Sequence, residues 1–288
     1  MIKYKAFIEV AEKGNYTKAA KAMGYSQPGI SHMIDTLEKE FGFPLLRREK
    51  NTIVPTNDGE KILHYCYRLL QDERELLETV DAIKGLMTGT IKAATLNSMA
   101  VDFLPEIVLN FTHAFSGINV VMHEFAIEDG IQAVLSGQMD LLFGTDGVPD
   151  TLDFIPLFTD PIGLIMREDH PFARYDRIPV GKLSSSDFIM PEVGWDDLAR
   201  PLLDALDTPP NVRHYTASET ASISLVSHGM GVFPFSKLQT KLLPANVTFR
   251  EFQEGFYRNM GISLRSEKDA SPAQREFIRF AKACAESL

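Results

Sequence analysis

Apolar and polar positions in the first forty residues follow a helical period. Ala6, Phe7, Val10 and Ala11 form one apolar stripe, and Gly14-Asn15 interrupts it. Thr17 is the predicted N-cap of a second helix bearing Ala19, Ala20, Ala22 and Met23, alanines small enough to let a crossing helix approach closely. After the turn Gly24-Tyr25, Ser26 is the predicted cap of a third helix. Pro28 sits in its first turn, where a missing N–H costs little. Ile30, Ile34, Leu37 and Phe41 recur at spacings of four, three and four, so this helix buries one face. Residues 45–48 and 52–54 are short β-prone runs around Glu49-Lys50-Asn51, which predicts a hairpin with a basic tip.

A different pattern follows. Thr56 can cap a segment that runs to Leu86 without a proline. Ile62, Cys66, Leu69 or Leu70, Glu73, Leu76 or Leu77, Val80 and Ile83 lie at heptad-like spacing. Thirty helical residues span about 45 Å, too long to lie wholly on so small a domain. A narrow apolar seam on such a rod is the signature of helix pairing, so a dimer is expected through residues 60–88. Gly85 and Gly89 end the rod and supply a hinge.

From Gly89 onward strands and helices alternate. Strand-like runs fall at 91–96, 120–124, 141–143, 154–157, 162–166, 188–190, 212–215, 232–235, 247–252 and 260–264. Helical patterns fall at 100–115, 128–136, 196–206, 219–228 and 272–286. The fold class expected is α/β with a largely parallel sheet, divided into two lobes around a cleft. The predicted domains are 1–59, 60–88 and 89–288. Lobe one takes 89–160 and 266–288, lobe two takes 161–265, and the chain passes between them near 158–161 and 265–269.

Composition narrows the function classes. The chain has 288 residues, 44% hydrophobic and 24% charged, as expected of two or three globular domains. No apolar run is long enough to span a bilayer, and Met1-Ile2-Lys3-Tyr4-Lys5 lacks the apolar core of a signal peptide, so a cytoplasmic protein with no membrane partner is expected. Two cysteines, Cys66 and Cys284, make neither a disulfide framework nor a zinc-ligand set. The net charge of −10 lies wholly beyond residue 88, because residues 1–88 carry 13 basic and 13 acidic side chains. The acidic character of the whole chain therefore does not exclude nucleic acid as a partner of its first third.

That first third has the chemistry for DNA. The outer face of the third helix shows Gln27, Ser31, His32 and Asp35, short hydrogen-bonding groups near a helix N-terminus. Such a face suits a major groove or a solvated bundle surface. A helix-turn-helix followed by a hairpin bearing Arg47, Arg48 and Lys50 favours the groove. One helix then reads bases while the wing grips phosphate or the minor groove. The ordered run Ala6-Phe7, Ala19-Ala20, Ser26-Gln27-Pro28-Gly29-Ile30-Ser31, Leu37-Glu38, Phe41-Gly42, Leu45-Leu46-Arg47-Arg48 and Thr56-Asn57-Asp58-Gly59 resembles the N-terminal domain of LysR-type transcriptional regulators. The sequence departs from that family at Leu46, usually Phe, and at His32, often Gln. The resemblance implies a winged helix-turn-helix that contacts double-stranded promoter DNA through Thr17, Ser26, Gln27, Pro28, Ser31, His32, Arg47, Arg48, Lys50 and Thr52. It also implies a linker helix that dimerises the protein, and a tetramer on DNA.

The resemblance continues, more loosely, through Leu104-Pro105, Gly137-Gln138-Met139-Asp140-Leu141, Pro156-Leu157, His170-Pro171, residues 226–232 and residues 271–278. It implies a two-lobed α/β effector domain like the type 2 periplasmic binding proteins, with a small-molecule effector between the lobes. Open α/β sheets bind ligands beyond the carboxyl ends of their strands. That rule selects Asn97, Ser98, Met99, Ile127, Thr145, Asp146, Pro191, Trp195 and Thr216. Ser98 resembles the family's hydroxyl residue that contacts an effector carboxylate, and capping its own helix is the alternative role. Ile127 departs from the polar residue that the family often has there. No Arg or Lys falls at these strand ends, whereas Asp146, Glu192 and Glu219 do, so a neutral, cationic or aromatic effector is expected over a dianion.

Enzymatic alternatives find little support. Gly229-Met230-Gly231 lacks the third glycine and the helix of a dinucleotide loop, there is no Walker loop or nucleophile elbow, and the histidines are scattered. No cofactor is expected. A plain solute-binding protein of the same lobed architecture would carry no helix-turn-helix.

Overall fold

The structure, a computed structural model, describes residues 1–192 and 198–286. Helices α1 (Ile2–Lys13), α2 (Tyr16–Met23) and α3 (Gln27–Phe41) form where the apolar period predicts them. Phe7, Ile30, Ile34, Leu37 and Leu45 are sealed in their shared core. Asn15, not Thr17, caps α2, its side chain accepting from Lys18 N at 3.0 Å. A cap must precede the first helical residue, and Tyr16 is already helical, so Thr17 falls on the exposed first turn. Ser26 caps α3 as expected, accepting from Gly29 N at 3.2 Å.

The hairpin is β1 (Leu46–Glu49) and β2 (Thr52–Pro55), antiparallel, with Arg48 opposite Ile53. Lys50 turns at its tip with φ 53°, the left-handed region an L-residue seldom occupies. The linker is α4 (Asn57–Ile83), capped by Thr56, which accepts from Gly59 N at 2.9 Å. It is about 40 Å long.

The seam on α4 differs from the expected one. Its first half turns Ile62, Leu63, Cys66 and Leu70 into the core of the N-terminal domain. Its second half turns Gln71, Arg74, Glu75 and Glu78 onto lobe one. Leu69, Leu76, Leu77, Val80 and Ile83 remain exposed, Leu76 at 63%, Leu77 at 60% and Ile83 at 82%. An α-helix drifts about 20° per heptad, so a stripe that starts at Ile62 does not keep one neighbour over its whole length.

Residues 89–286 begin with β3 (Gly89–Thr95), α5 (Asn97–Val101), α6 (Phe103–Ala114), β4 (Ile118–Glu124), α7 (Ile127–Leu135) and β5 (Leu141–Thr145). Then come β6 (Asp153–Arg167), β7 (Asp187–Pro191), α8 (Arg200–Asp204), β8 (Asn211–Thr216), α9 (Glu219–Ser227), β9 (Phe233–Ser236), β10 (Val247–Leu264) and α10 (Pro272–Ala285). The predicted helix at 100–115 breaks at Asp102, and the predicted helix at 196–206 begins outside the described residues.

The main sheet has the order β4-β3-β5-β10-β6-β9. Only β3 lies parallel to its neighbours, β4 and β5, so the sheet is mixed rather than largely parallel. The cause is the pair β6 and β10, each read from sequence as two short strands. They are continuous and antiparallel, and together they run through both lobes. Along β6 the core of lobe one reaches Phe158 and that of lobe two begins at Ile162. β10 passes at 257–260, where its residues pair with 158–161 of β6, and not at 265–269. Lobe one is sealed by α6 and α10, with the Phe111 and Phe277 rings edge to face at 4.9 Å. Lobe two closes on Leu164, Phe188 and Phe252. No helix among the described residues is long and apolar enough to cross a membrane.

The joint between α4 and lobe one is polar. Asp140, 3% exposed, takes Arg74 Nη2 and Gln71 Nε2 on one carboxylate oxygen, the latter at 3.1 Å, and Lys92 N at 2.8 Å on the other. Glu78 accepts from Thr90 N at 3.3 Å, and Glu75 from Gln274 Nε2 at 3.3 Å. Burial pushes the Asp140 carboxyl up to about 6, against the pull of Arg74. Replacing Arg74 with Met is expected to cost on the order of 3 kcal/mol, because it strands a buried charge. A carboxyl raised in the folded state loses stability as pH climbs through its folded value. The loss in Arg74→Met, read by urea denaturation, should therefore be larger above pH about 6 than below it.

Candidate functional site

The N-terminal end of α3 is open. Gln27, Pro28, His32 and Asp35 are exposed and Ser31 is half-buried, while Ile30 and Ile34 hold the opposite face in the core. The hairpin is tied to the same helix. Glu38 Oε1 accepts from Leu45 N at 2.7 Å and Leu46 N at 3.1 Å. A second tie joins Ile53 N to the Gly14 carbonyl at 2.8 Å, and the exposed Thr52 also donates its hydroxyl there, at 3.3 Å. Reading helix and hairpin therefore move as one piece. Arg47, Arg48 and Lys50 are exposed on it; Arg47 pairs with Glu49 at 3.0 Å, and Arg48 has no ion pair among the described residues. Thr17 and Ser26 are exposed as well, so all ten residues expected at DNA reach the surface of one small unit.

The second site is a cleft of about 740 Å³ between the lobes. Asn97, Ser98, Ile127, Pro191 and Thr216 line it, as the strand-end rule predicts. Three other expected residues do not. Met99 turns into the lobe-one core beside Phe103 and Leu104. Thr145 is buried in β5. Asp146 accepts from Asn259 Nδ2 at 2.6 Å, away from the cleft. Trp195 lies outside the described residues.

Sequence reasoning missed Arg258. It lies in the passage of β10 between lobes, 7% exposed. Its Nη2 donates to Asp160 Oδ2 at 2.6 Å and to Ser98 Oγ at 3.1 Å. Asp160, 1% exposed, also takes Ser236 Oγ at 2.7 Å and Leu238 N at 3.3 Å. The cleft floor thus holds a buried ion pair and a serine fixed by it. Gln239, also missed, spans the lobes: its Nε2 donates to Asn97 Oδ1 at 2.5 Å and to Glu219 Oε2 at 2.7 Å. Lys241 and Asp102 make a second tie at 2.5 Å. Burial raises the Glu219 pKa above the usual carboxylate value, and the charge of Glu124 adds to the rise; Gln239 and Arg258 oppose it. A rise of this kind marks a carboxylate that gains from a cation or a proton beside it.

Two features argue against other chemistry. The Cys66 thiol is pushed up to about 11 by burial, the reverse of an activated thiolate. No nucleophile and base pair lines the cleft among the described residues. Arg258→Met is expected to cost about 3–5 kcal/mol in urea denaturation, because Asp160 keeps its charge in a buried site without its cation. An unchanged midpoint would mean the pair does not brace the two lobes.

Comparison with known proteins agrees with this geometry. Residues 2–60 match the family described as bacterial regulatory helix-turn-helix protein, lysR family, and residues 84–285 match the LysR substrate binding domain. The chain is 28% identical over 287 residues to the uncharacterized HTH-type transcriptional regulator YvbU of Bacillus subtilis (strain 168), covering 96% of each chain. It is 24% identical to the Hca operon transcriptional activator HcaR of Escherichia coli (strain K12), covering 94% of this chain and 93% of that one. In fold it is similar to full-length OxyR from Pseudomonas aeruginosa, TM-score 0.78 at 19% identity, covering 99% of this chain and 93% of that one. The LysR family regulator CbnR superposes with TM-score 0.72 at 19% identity, covering 99% and 98%.

Proposed function

The chain belongs to the LysR family of DNA-binding transcriptional regulators, and from that premise we propose how it works: as a dimer that reads promoter DNA with two copies of α3 and responds to a small molecule held between its lobes. It is a regulator with an effector-binding domain and not an enzyme. The division proposed is a DNA-binding head at 1–59, a linker at 60–88 and an effector domain at 89–288, acting in the cytoplasm, where the DNA is. The observation that carries the reading is the exposed N-terminus of α3 joined rigidly, through Glu38, to a hairpin with Arg47, Arg48 and Lys50 at its surface.

Gln27 and His32 suit base edges, and Ser26, Ser31 and Thr17 suit phosphate or sugar. Dimer formation is supported by the stripe Leu69, Leu76, Val80 and Ile83, which is left exposed among the described residues and keeps a coiled-coil spacing. Pairing there would set two reading helices about one DNA turn, ~34 Å, or a multiple of it apart. The edge strand β4, whose outer side meets no strand among the described residues and which exposes Val121 and Met122, supports further antiparallel pairing of effector domains into a tetramer.

Effector control follows from how the lobes are joined. Lobe one is fastened to α4 through Asp140, whereas lobe two joins lobe one through β6 and β10 and through the side-chain ties of Gln239 to Asn97 and Lys241 to Asp102. A ligand that prefers one lobe angle shifts lobe two relative to the linker, and so alters how copies sit on DNA.

Gln27→Ala is expected to weaken binding to the protein's own upstream DNA by ~1–3 kcal/mol at the specific site, with little change on unrelated DNA. Arg48→Ala should weaken binding to every sequence and lower the salt slope by about one. Gel shifts over a salt series check both, and parental affinity in the two variants would refute the groove-and-wing reading. Leu76→Asp with Leu77→Asp should sediment as a monomer; a dimer in that variant would move the interface elsewhere.

A further inference from the structure

The cleft is unbalanced in charge. Glu124 and Glu128 reach it from lobe one, Glu192 and Glu219 from lobe two. Against four carboxylates the described lining offers one cation, Arg258, whose charge is already spent on the buried Asp160. The starts of α7 and α9 do not restore the balance, because Glu128 and Glu219 occupy their first turns. An anion entering here meets repulsion without a free guanidinium to receive it.

Two of these carboxylates, Glu124 and Glu219, line the cleft from opposite lobes. Glu219 is half-buried with one oxygen held by Gln239 Nε2 at 2.7 Å, and Glu124 at the end of β4 lies close enough for its charge to act on Glu219. Like charges facing across a partly desolvated gap repel, and a positive charge between them turns repulsion into attraction on both sides. The surrounding wall is apolar: Phe125, Ile127, Ile223, Phe233 and Leu242.

We propose that the effector is a small organic cation, an amine whose ammonium group sits between Glu219 and Glu124 while its carbon skeleton covers the apolar wall. The proposal rests on the cleft being the effector site and adds the chemical class. An ammonium in that position contacts both lobes at once. It therefore binds the closed arrangement more tightly than the open one, which is the differential affinity that a shift in lobe angle needs. This differs from the carboxylate effector that the family resemblance of Ser98 implies, because here the charge of the guanidinium behind Ser98 is already neutralised.

The test uses the full-length dimer and matched sets of small primary amines, alcohols and carboxylates on the same aliphatic and aromatic skeletons. Thermal stabilisation is measured first, then calorimetry on any stabilising compound. Stabilisers are expected among the amines, with affinity at least about tenfold weaker in Glu219→Gln and also reduced in Glu124→Gln. Each variant's circular dichroism and melting cooperativity verify that it is folded. Stabilisation by the carboxylates or alcohols but not the amines would overturn the charge assignment and leave the cleft as an effector site. Amine binding that both variants retain in full would overturn it too, since the charge would then be met elsewhere. If no compound of any set stabilised the protein, both the amine proposal and the cleft reading beneath it would fail.

Discussion

Asp140 is the point on which the arrangement of the whole chain depends. Its carboxylate is buried at the foot of β5 and is shared by Arg74 and Gln71 of the linker helix and by the backbone of β3. A buried charge is costly to leave unpaired, so helix and lobe must meet in one register or pay for the failure. The apolar alternative, a greasy contact, would permit sliding. With α4 clamped at this end to lobe one and at the other to the core around Phe7 and Ile34, the reading helix and the effector cleft are parts of one lever.

The same helix has to serve three neighbours. One side fills the N-terminal core, a second carries the polar joint, and a third is left apolar and uncovered. The division also separates charge. Residues 1–88 are neutral overall, and the excess of acidic groups lies beyond them. Two effector domains near DNA would be repelled by phosphate, which leaves contact to the head and favours effector domains that stand away from the duplex.

Local signals were legible and long-range ones were not. Ser26 and Thr56 announce helix starts because a cap acts within three residues of itself. The apolar period of α3 reveals its buried face for the same reason. The two long strands were hidden: 154–157 and 162–166 read as separate runs, as did 247–252 and 260–264, yet each pair belongs to one continuous strand. That misreading concealed Arg258, which looked like a loop residue and is a buried strand residue at the centre of the cleft. The strand-end rule located Asn97 and Ser98 but ran one residue too far at Met99, where the short α5 turns its side chain into the core. At β5 the rule failed for Thr145 and Asp146, because β10 covers that strand end.

Hydroxyl-radical footprinting of the full-length protein on its own upstream DNA tests the central claim most directly. Two α3 helices carried by a paired α4 require two protected patches on one face of the duplex, centred about one helical turn, ~34 Å, or a multiple of it apart. Two such patches are the result this account requires. A single patch, or uniform cleavage at low salt, would contradict it.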